Sequence, residues 1–280
     1  MIVIESAGIT DVGKKRKGNE DALFLDDALG LYVVADGMGG HRAGEIASQL
    51  VVKTISEYFL QSKKNGDAGE NTISDRTLSR EANRLLSGIR LSNKAVHEAS
   101  VGNDACRGMG STVSAVYFTG GTLIAANVGD SPIYLVRDGK IKLLSVLHTV
   151  LAEQAAINPA NAQKLGMEFR HVLTRAMGTE ESVRSDIFEI QCFKDDILVI
   201  SSDGLSDKAS PDEILNLVNQ NGLDTACQKL VKLANDRGGD DNVTTIVLKV
   251  KTIKQTPLNL SRLKAIVSRY YCRFFSSGKI

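Results

Sequence analysis

A chain of 280 residues, 42% hydrophobic and 24% charged, is ordinary globular material and long enough for one large domain. Its net charge of +1 hides a split. Residues 251–280 carry seven Lys/Arg and no acid, which leaves 27 basic against 33 acidic residues, a net of −6, in the first 250. An acidic body argues against a general nucleic-acid binder, and no run approaches the ~18 apolar residues of a membrane span.

The opening "MIVIESAGIT" has no basic n-region and meets Glu5 too early for a signal peptide, so a cytoplasmic protein is expected. "GKKRKGNEDALFL" then brings Glu20 and Asp21 to the start of a strand. Leu31–Ala35 is a strand-length apolar run that ends in Asp36 and glycines. Two helical patterns follow, Ile46, Leu50, Val51, Ile55, Tyr58 and Phe59, then Leu78, Ala82, Leu85, Leu86, Ile89 and Val96, separated by the polar loop "QSKKNGDAGEN". Further strand-length runs are Thr112–Phe118, Leu123–Val128 (leading to Asp130) and Ile133–Val136. Residues 147–170 interrupt the series with a polar, mostly helical insertion. Ile197–Ile200 leads to Asp203-Gly204, and a second helical block covers roughly 211–236. Asp240 and Asp241 stand just before the last run, Thr245–Val250. Strands in consecutive groups and helices in pairs predict an α+β fold with mostly antiparallel sheets. The four cysteines, at 106, 192, 227 and 272, form no CxxC pair, as expected of reduced thiols.

Five strand ends therefore carry an acid. Each alone is better explained as a turn or cap residue, since Asp-Gly is a common turn pair. Together they suggest convergence on one rim of the sheets. Two carboxylates 5 Å apart repel by about 3 kcal/mol at an effective dielectric of 20. Four such groups make six pairs, which outweighs the ~5–15 kcal/mol stability of a domain. Either the acids stay apart or cations sit among them. All-oxygen ligands select hard ions such as Mg2+ or Mn2+, and Gly37 would let its carbonyl approach an ion unobstructed.

The motifs "DVGKKRKGNED" (11–21), "DGMGGH" (36–41), "GDS" (129–131), "SDG" (202–204) and "GDDNVT" (239–244) resemble, in order and spacing, the bacterial branch of the metal-dependent protein phosphatases, the PPM or type 2C family. The resemblance implies an αββα sandwich of two antiparallel sheets flanked by helix pairs. It also implies hydrolysis of phosphoserine and phosphothreonine by metal-activated water at a dinuclear Mn2+/Mg2+ site. By motif position Asp36 bridges two ions, with the Gly37 carbonyl on one and Asp203 and Asp241 on the other. Asp21 holds water nearby, and Asp130 and Asp203 match the positions of a third, weaker ion. Arg16 is the candidate phosphate clamp, because a guanidinium grips two phosphate oxygens at once. His41 is the candidate acid for the leaving oxygen. Glu20 and Asp240 read as solvated turn acids. His148 and His171 flank the 147–170 insertion, which matches the family's flap; His171 reads as packing and His97 as part of a helix face.

The expected organisation is a catalytic domain over 1–252 with the flap at about 147–170, and a basic amphipathic extension over 253–280. In that extension Leu260, Leu263, Ile266, Val267, Tyr270, Tyr271 and Phe274 recur at helical spacing. It would pack on the acidic body or dock a partner in preference to an anionic membrane. Expected partners are phosphoproteins and a cognate Ser/Thr kinase, with the chain a monomer that binds no nucleic acid. Two departures from the family pattern, Pro132 after the GDS motif and Leu147 before His148, bear on target choice. No C-x5-R loop, GxxxxGK[ST] loop or HRD segment supports another phosphoryl-transfer class. The competing reading is an inactive binding module of the same fold, which the presence of Asp36, Asp203 and Asp241 opposes.

Overall fold

Leu31 to Ala35 are all sealed from solvent, because the strand that carries them is covered on both faces. Alternate side chains point to opposite sides of a strand. Leu31, Val33 and Ala35 join one apolar cluster, while Tyr32 and Val34 join another. The strand is β3 (Leu31–Met38). In the computed structural model, which describes residues 2–40, 42–65, 75–162 and 165–253, it is an inner strand of a four-layer sandwich.

One sheet has the order β2 (Asp21–Asp26), β3, β5 (Val113–Thr119), β6 (Thr122–Val128), β9 (Asp186–Gln191), with the short β4 (Gly110–Ser111) paired to β3. The other runs β1 (Ile2–Asp11), β11 (Val243–Ile253), β10 (Ile197–Ser201), β7 (Ile133–Arg137), β8 (Lys140–Leu143). Every strand pairing is antiparallel. The sheets face each other through Tyr32, Val34, Leu198, Ile200, Ile246 and Leu248. Helices α1 (Arg42–Asn65) and α2 (Arg80–Gly102) cover the first sheet through Val51, Ile55, Phe59, Leu85 and Ile89. Helices α6 (Pro211–Gln220) and α7 (Leu223–Asp236) cover the second through Ile214, Val218, Leu230 and Val231. The expected αββα arrangement is the one observed.

Apart from the two-residue β4, the strands with no strand-length apolar run in the sequence, β1, β8 and β9, lie at sheet edges, where one face or both meet water. The insertion forms α3 (Val150–Ile157), the single turn α4 (Pro159–Ala162) and a 3-10 turn, Met167–Arg170. Its two ends are stitched together by the Thr149–Leu173 bridge. Pro132 costs the sheet nothing: it precedes β7, and its carbonyl accepts the Ser201 amide at 3.1 Å. His41 and the extension beyond Ile253 lie outside the described residues.

Candidate metal centre

Antiparallel pairing puts the end of one strand beside the start of the next. Asp21, which opens β2, lies across from Asp36 near the end of β3. In the other sheet Ser201 pairs with Thr245, and Asp11 with Val243. Asp203, in α5 (Asp203–Ser206), and Asp241, ahead of β11, therefore flank neighbouring strand ends. Asp130 follows β6. Asp36, Asp130, Asp203 and Asp241 meet in a cleft of about 540 Å³ that is also lined by Arg16, Glu20, Gly37, His171, Arg175 and Thr179.

Asp21 is held by two hydroxyls, one from the residue between β10 and α5 and one from β11. Ser202 donates to its Oδ2 at 2.8 Å and Thr244 at 2.7 Å. The Thr244 hydrogen is thereby spent, so Thr10 donates to Thr244 at 2.7 Å and accepts from Asn19 at 2.8 Å. Asn19 closes the chain by accepting the Asp21 amide at 3.0 Å. Asp36 is fixed through its amide, which donates to Thr112 Oγ1 at 3.0 Å; Thr112 in turn contacts Ser131 at 2.7 Å.

Burial, followed by the charge of Asp21, Asp203, Asp130 and Asp241, pushes the Asp36 carboxyl well above the usual carboxylate range. Burial raises Asp21 to about 7, against the pull of Thr244 and Ser202 and with further push from Asp203 and Asp241. Burial and then Asp203 raise Asp130 to about 7. Asp241 is also raised, by burial first, although its amide bond from Asn242 and the Arg16 charge oppose the shift. Oδ1 of Asp21 and Oδ1 of Asp203 are shielded from solvent and receive no hydrogen bond. Orphaned carboxylate oxygens turned into a crowd of like charges are what a divalent cation would satisfy, so the residues fit a metal.

Asp130, His171 and Asp203 each offer a ligand atom, all within 4.8 Å of one another. This corrects the reading of His171 as packing. The half-exposed imidazole faces Asp203 at 3.6 Å and Asp207 at 3.3 Å, and its pairing with Asp203 raises its pKa. Sequence alone placed it only beside the insertion; the fold of the flap turns it into the cleft. Gly37 also acquires a different reason. A Cβ there would lie 2.0 Å from the Gly44 carbonyl and 2.6 Å from that of Glu20, so close packing of β3 on α1 already demands glycine.

Arg16 lines the cleft and reaches Asp241 through Nη2 at 2.7 Å. Asp240 pairs with Lys15 and Lys208 at the surface, which holds its carboxyl down at about 2 and fits a solvated turn acid. Glu20 departs from that reading: it lines the cleft, with its carboxylate against Gly44 in the first turn of α1. His97 sits on α2 as expected, its Nδ1 3.1 Å from the Gly178 carbonyl.

A family model described as "Protein phosphatase 2C" matches residues 14–247. A protein of Streptococcus pyogenes serotype M6 described as of protein phosphatase 2C type is 34% identical over 240 residues, 84% of this chain and 93% of that one. The chain is similar in structure to the Mycobacterium tuberculosis serine/threonine phosphatase PstP/Ppp, with a TM-score of 0.77 at 28% identity over 90% of this chain and 100% of that one. It is similar also to the catalytic domain of PstP in complex with 2 manganese ions, with a TM-score of 0.73 at 29% identity over the same shares, 90% and 100%.

Proposed function

The chain belongs to the protein phosphatase 2C family, and from that membership we propose its chemistry residue by residue. It is a metal-dependent hydrolase that removes phosphate from serine and threonine of phosphoproteins. The observation that carries the reading is the pair of orphaned buried oxygens, Asp21 Oδ1 and Asp203 Oδ1, at the focus of five converging carboxylates.

Asp36, the Gly37 carbonyl, Asp203 and Asp241 would hold two ions, Mn2+ or Mg2+, and Asp130 with His171 and Asp203 a third. Bound there, the ions supply an activated water and neutralise phosphoryl oxygens. Arg16 serves the substrate: its guanidinium stands in the cleft with a planar fork suited to two phosphoryl oxygens. Asp21, with Oδ2 occupied by Ser202 and Thr244, keeps Oδ1 directed to orient water or take a proton. His41 is assigned as acid for the leaving oxygen on motif position. A loose transition state asks for this kind of positioning and charge compensation more than for covalent chemistry.

The catalytic domain is taken as 1–252 with 253–280 as an extension. A Ser/Thr kinase is the expected opponent, the cytoplasm the expected setting, and a monomer the expected state; no described helix is long and apolar enough to cross a membrane. The test is hydrolysis of a phosphothreonine peptide with Mn2+, Mg2+ or EDTA by the wild type, Asp36→Asn and Asp203→Asn. Metal-dependent turnover that falls at least about 100-fold in both variants is expected. A folded wild type with no turnover under any metal would leave only the binding-module reading.

A further inference from the structure

His148 stands where the flap leaves the body of the protein, and it is fully buried. Its backbone amide donates to the Gly129 carbonyl at 3.0 Å, and its carbonyl accepts the Thr174 amide, at the flap's return, at 2.9 Å. Its ring has three polar neighbours: Nδ1 lies 3.0 Å from the Gly129 amide, and Nε2 lies 2.7 Å from Asp186 Oδ2 and 3.1 Å from Arg175 Nη1, a donor that shares Asp186 with it.

The protonation state follows from these partners. A backbone amide can only donate, so Nδ1 carries a lone pair, and the single ring proton is on Nε2, pointing at Asp186. Arg175 Nη1 donates to the same Asp186 oxygen at 2.9 Å, and Arg175 lines the cleft. On the other side, Gly129 adopts a left-handed φ of +99°, and a Cβ there would lie 2.6 Å from Thr112 Cγ2. Thr112 is the residue that accepts the Asp36 amide. The Gly129–Asp130 turn is thus confined between Thr112, which also holds the Asp36 amide, and the imidazole.

We propose that His148 is a positioning residue that ties the root of the flap to the Gly129–Asp130 turn: as the neutral Nε2–H tautomer it accepts the Gly129 amide on one side and donates to Asp186 on the other, and so sets where Asp130 presents its carboxylate. This rests on the reading of Asp130 as a metal ligand. Leu147, Asp186 and Arg175 need not touch an ion for the flap to influence metal binding; the link runs through backbone and imidazole alone.

Two variants divide the ring's two bonds. In His148→Gln the side-chain amide can take the place of Nε2 and donate to Asp186, but the Gly129 amide loses its acceptor. In His148→Asn the side-chain oxygen can take the place of Nδ1 and accept from Gly129, but Asp186 loses its donor. Metal-free full-length proteins are titrated with Mn2+, reading free Mn2+ by electron paramagnetic resonance, after melting curves confirm that each variant folds. The expected result is that His148→Gln weakens the lowest-affinity Mn2+ site about tenfold, while His148→Asn leaves it within about twofold. Equal weakening in both, or none in His148→Gln, overturns the positioning role. Asp130→Asn is the control. Unaltered Mn2+ binding there overturns the reading of Asp130 and the proposal with it, whereas weakened binding there beside unaltered binding in His148→Gln overturns the positioning role alone.

Discussion

Thr244 is a single hydroxyl on which two parts of the cleft depend. It donates to Asp21 and accepts from Thr10, so it fixes the direction of a hydrogen-bond chain that starts at Asn19. Thr244→Val keeps the shape and the β-branched stem but removes that donor. A hydrogen bond to a charged group contributes ~1.5–3 kcal/mol, and Asp21 would lose a bond that holds its carboxyl in the ionised form. Phosphopeptide turnover is expected to fall by about 10-fold or more, with Thr244→Ser recovering most of it. Steady-state kinetics of the two variants check this; equal loss in both would mean that the methyl packing, not the hydroxyl, matters.

At the scale of elements, α6 shows stability kept apart from catalysis. Ser210 caps its first turn through the Glu213 amide, and the Glu213 side chain returns a bond to the Ser210 amide. Pro211 follows at a position where its missing N–H is no loss. Arg237, at the end of α7, grips the Glu213 carboxylate with both Nη atoms, at 2.8 and 2.5 Å, and that guanidinium holds the Glu213 pKa down at about 2. Ser210→Ala should cost about 1 kcal/mol and lower the melting temperature by roughly 2–4 °C, with turnover unchanged because neither Ser210 nor Glu213 lines the cleft. A thermal melt beside an activity assay measures both halves of that expectation. A change in turnover would show that α6 communicates with the α5 turn that carries Asp203.

For the molecule as a whole, the acidic rim makes stability depend on pH and on cations together. Asp21 and Asp130 titrate near 7 in the folded, metal-free chain and near 3.8 when unfolded. Between those values the folded state holds protons that the unfolded state has released, so stability falls as pH rises through that window. His171, raised by Asp203, acts in the same sense as it loses its proton. The neutral His148, lowered by burial, acts in the opposite sense below about 6.5, but as one group against several. Chelator-treated protein should therefore melt lower at pH 8 than at pH 5.5, by about 4 °C or more. Added Mn2+ should raise the melting temperature more at the higher pH, since its ligands must be deprotonated. Scanning fluorimetry across pH with EDTA or Mn2+ decides it, and a metal-free protein equally stable at both pH values would mean that the carboxyls do not share protons as the rim requires.

The inner strands, the paired helices and the acids at the strand ends are legible in the order of the residues. Those signals are local: a run such as Leu31–Ala35 is apolar at every position because both faces are covered, and Asp36 follows it in the chain. That order also carries the family's motifs, and with them the αββα sandwich. The rest depends on how the chain packs in three dimensions. The edge strands β1, β8 and β9 are half wet and lack a continuous apolar run, so they became strands through pairing with a neighbour. The donors on Asp21 come from Ser202 and Thr244, 181 and 223 residues away. His171 reached Asp203 only through the path of the flap. Contacts of that span depend on the register between strands and the course of a loop, and no local spacing records either.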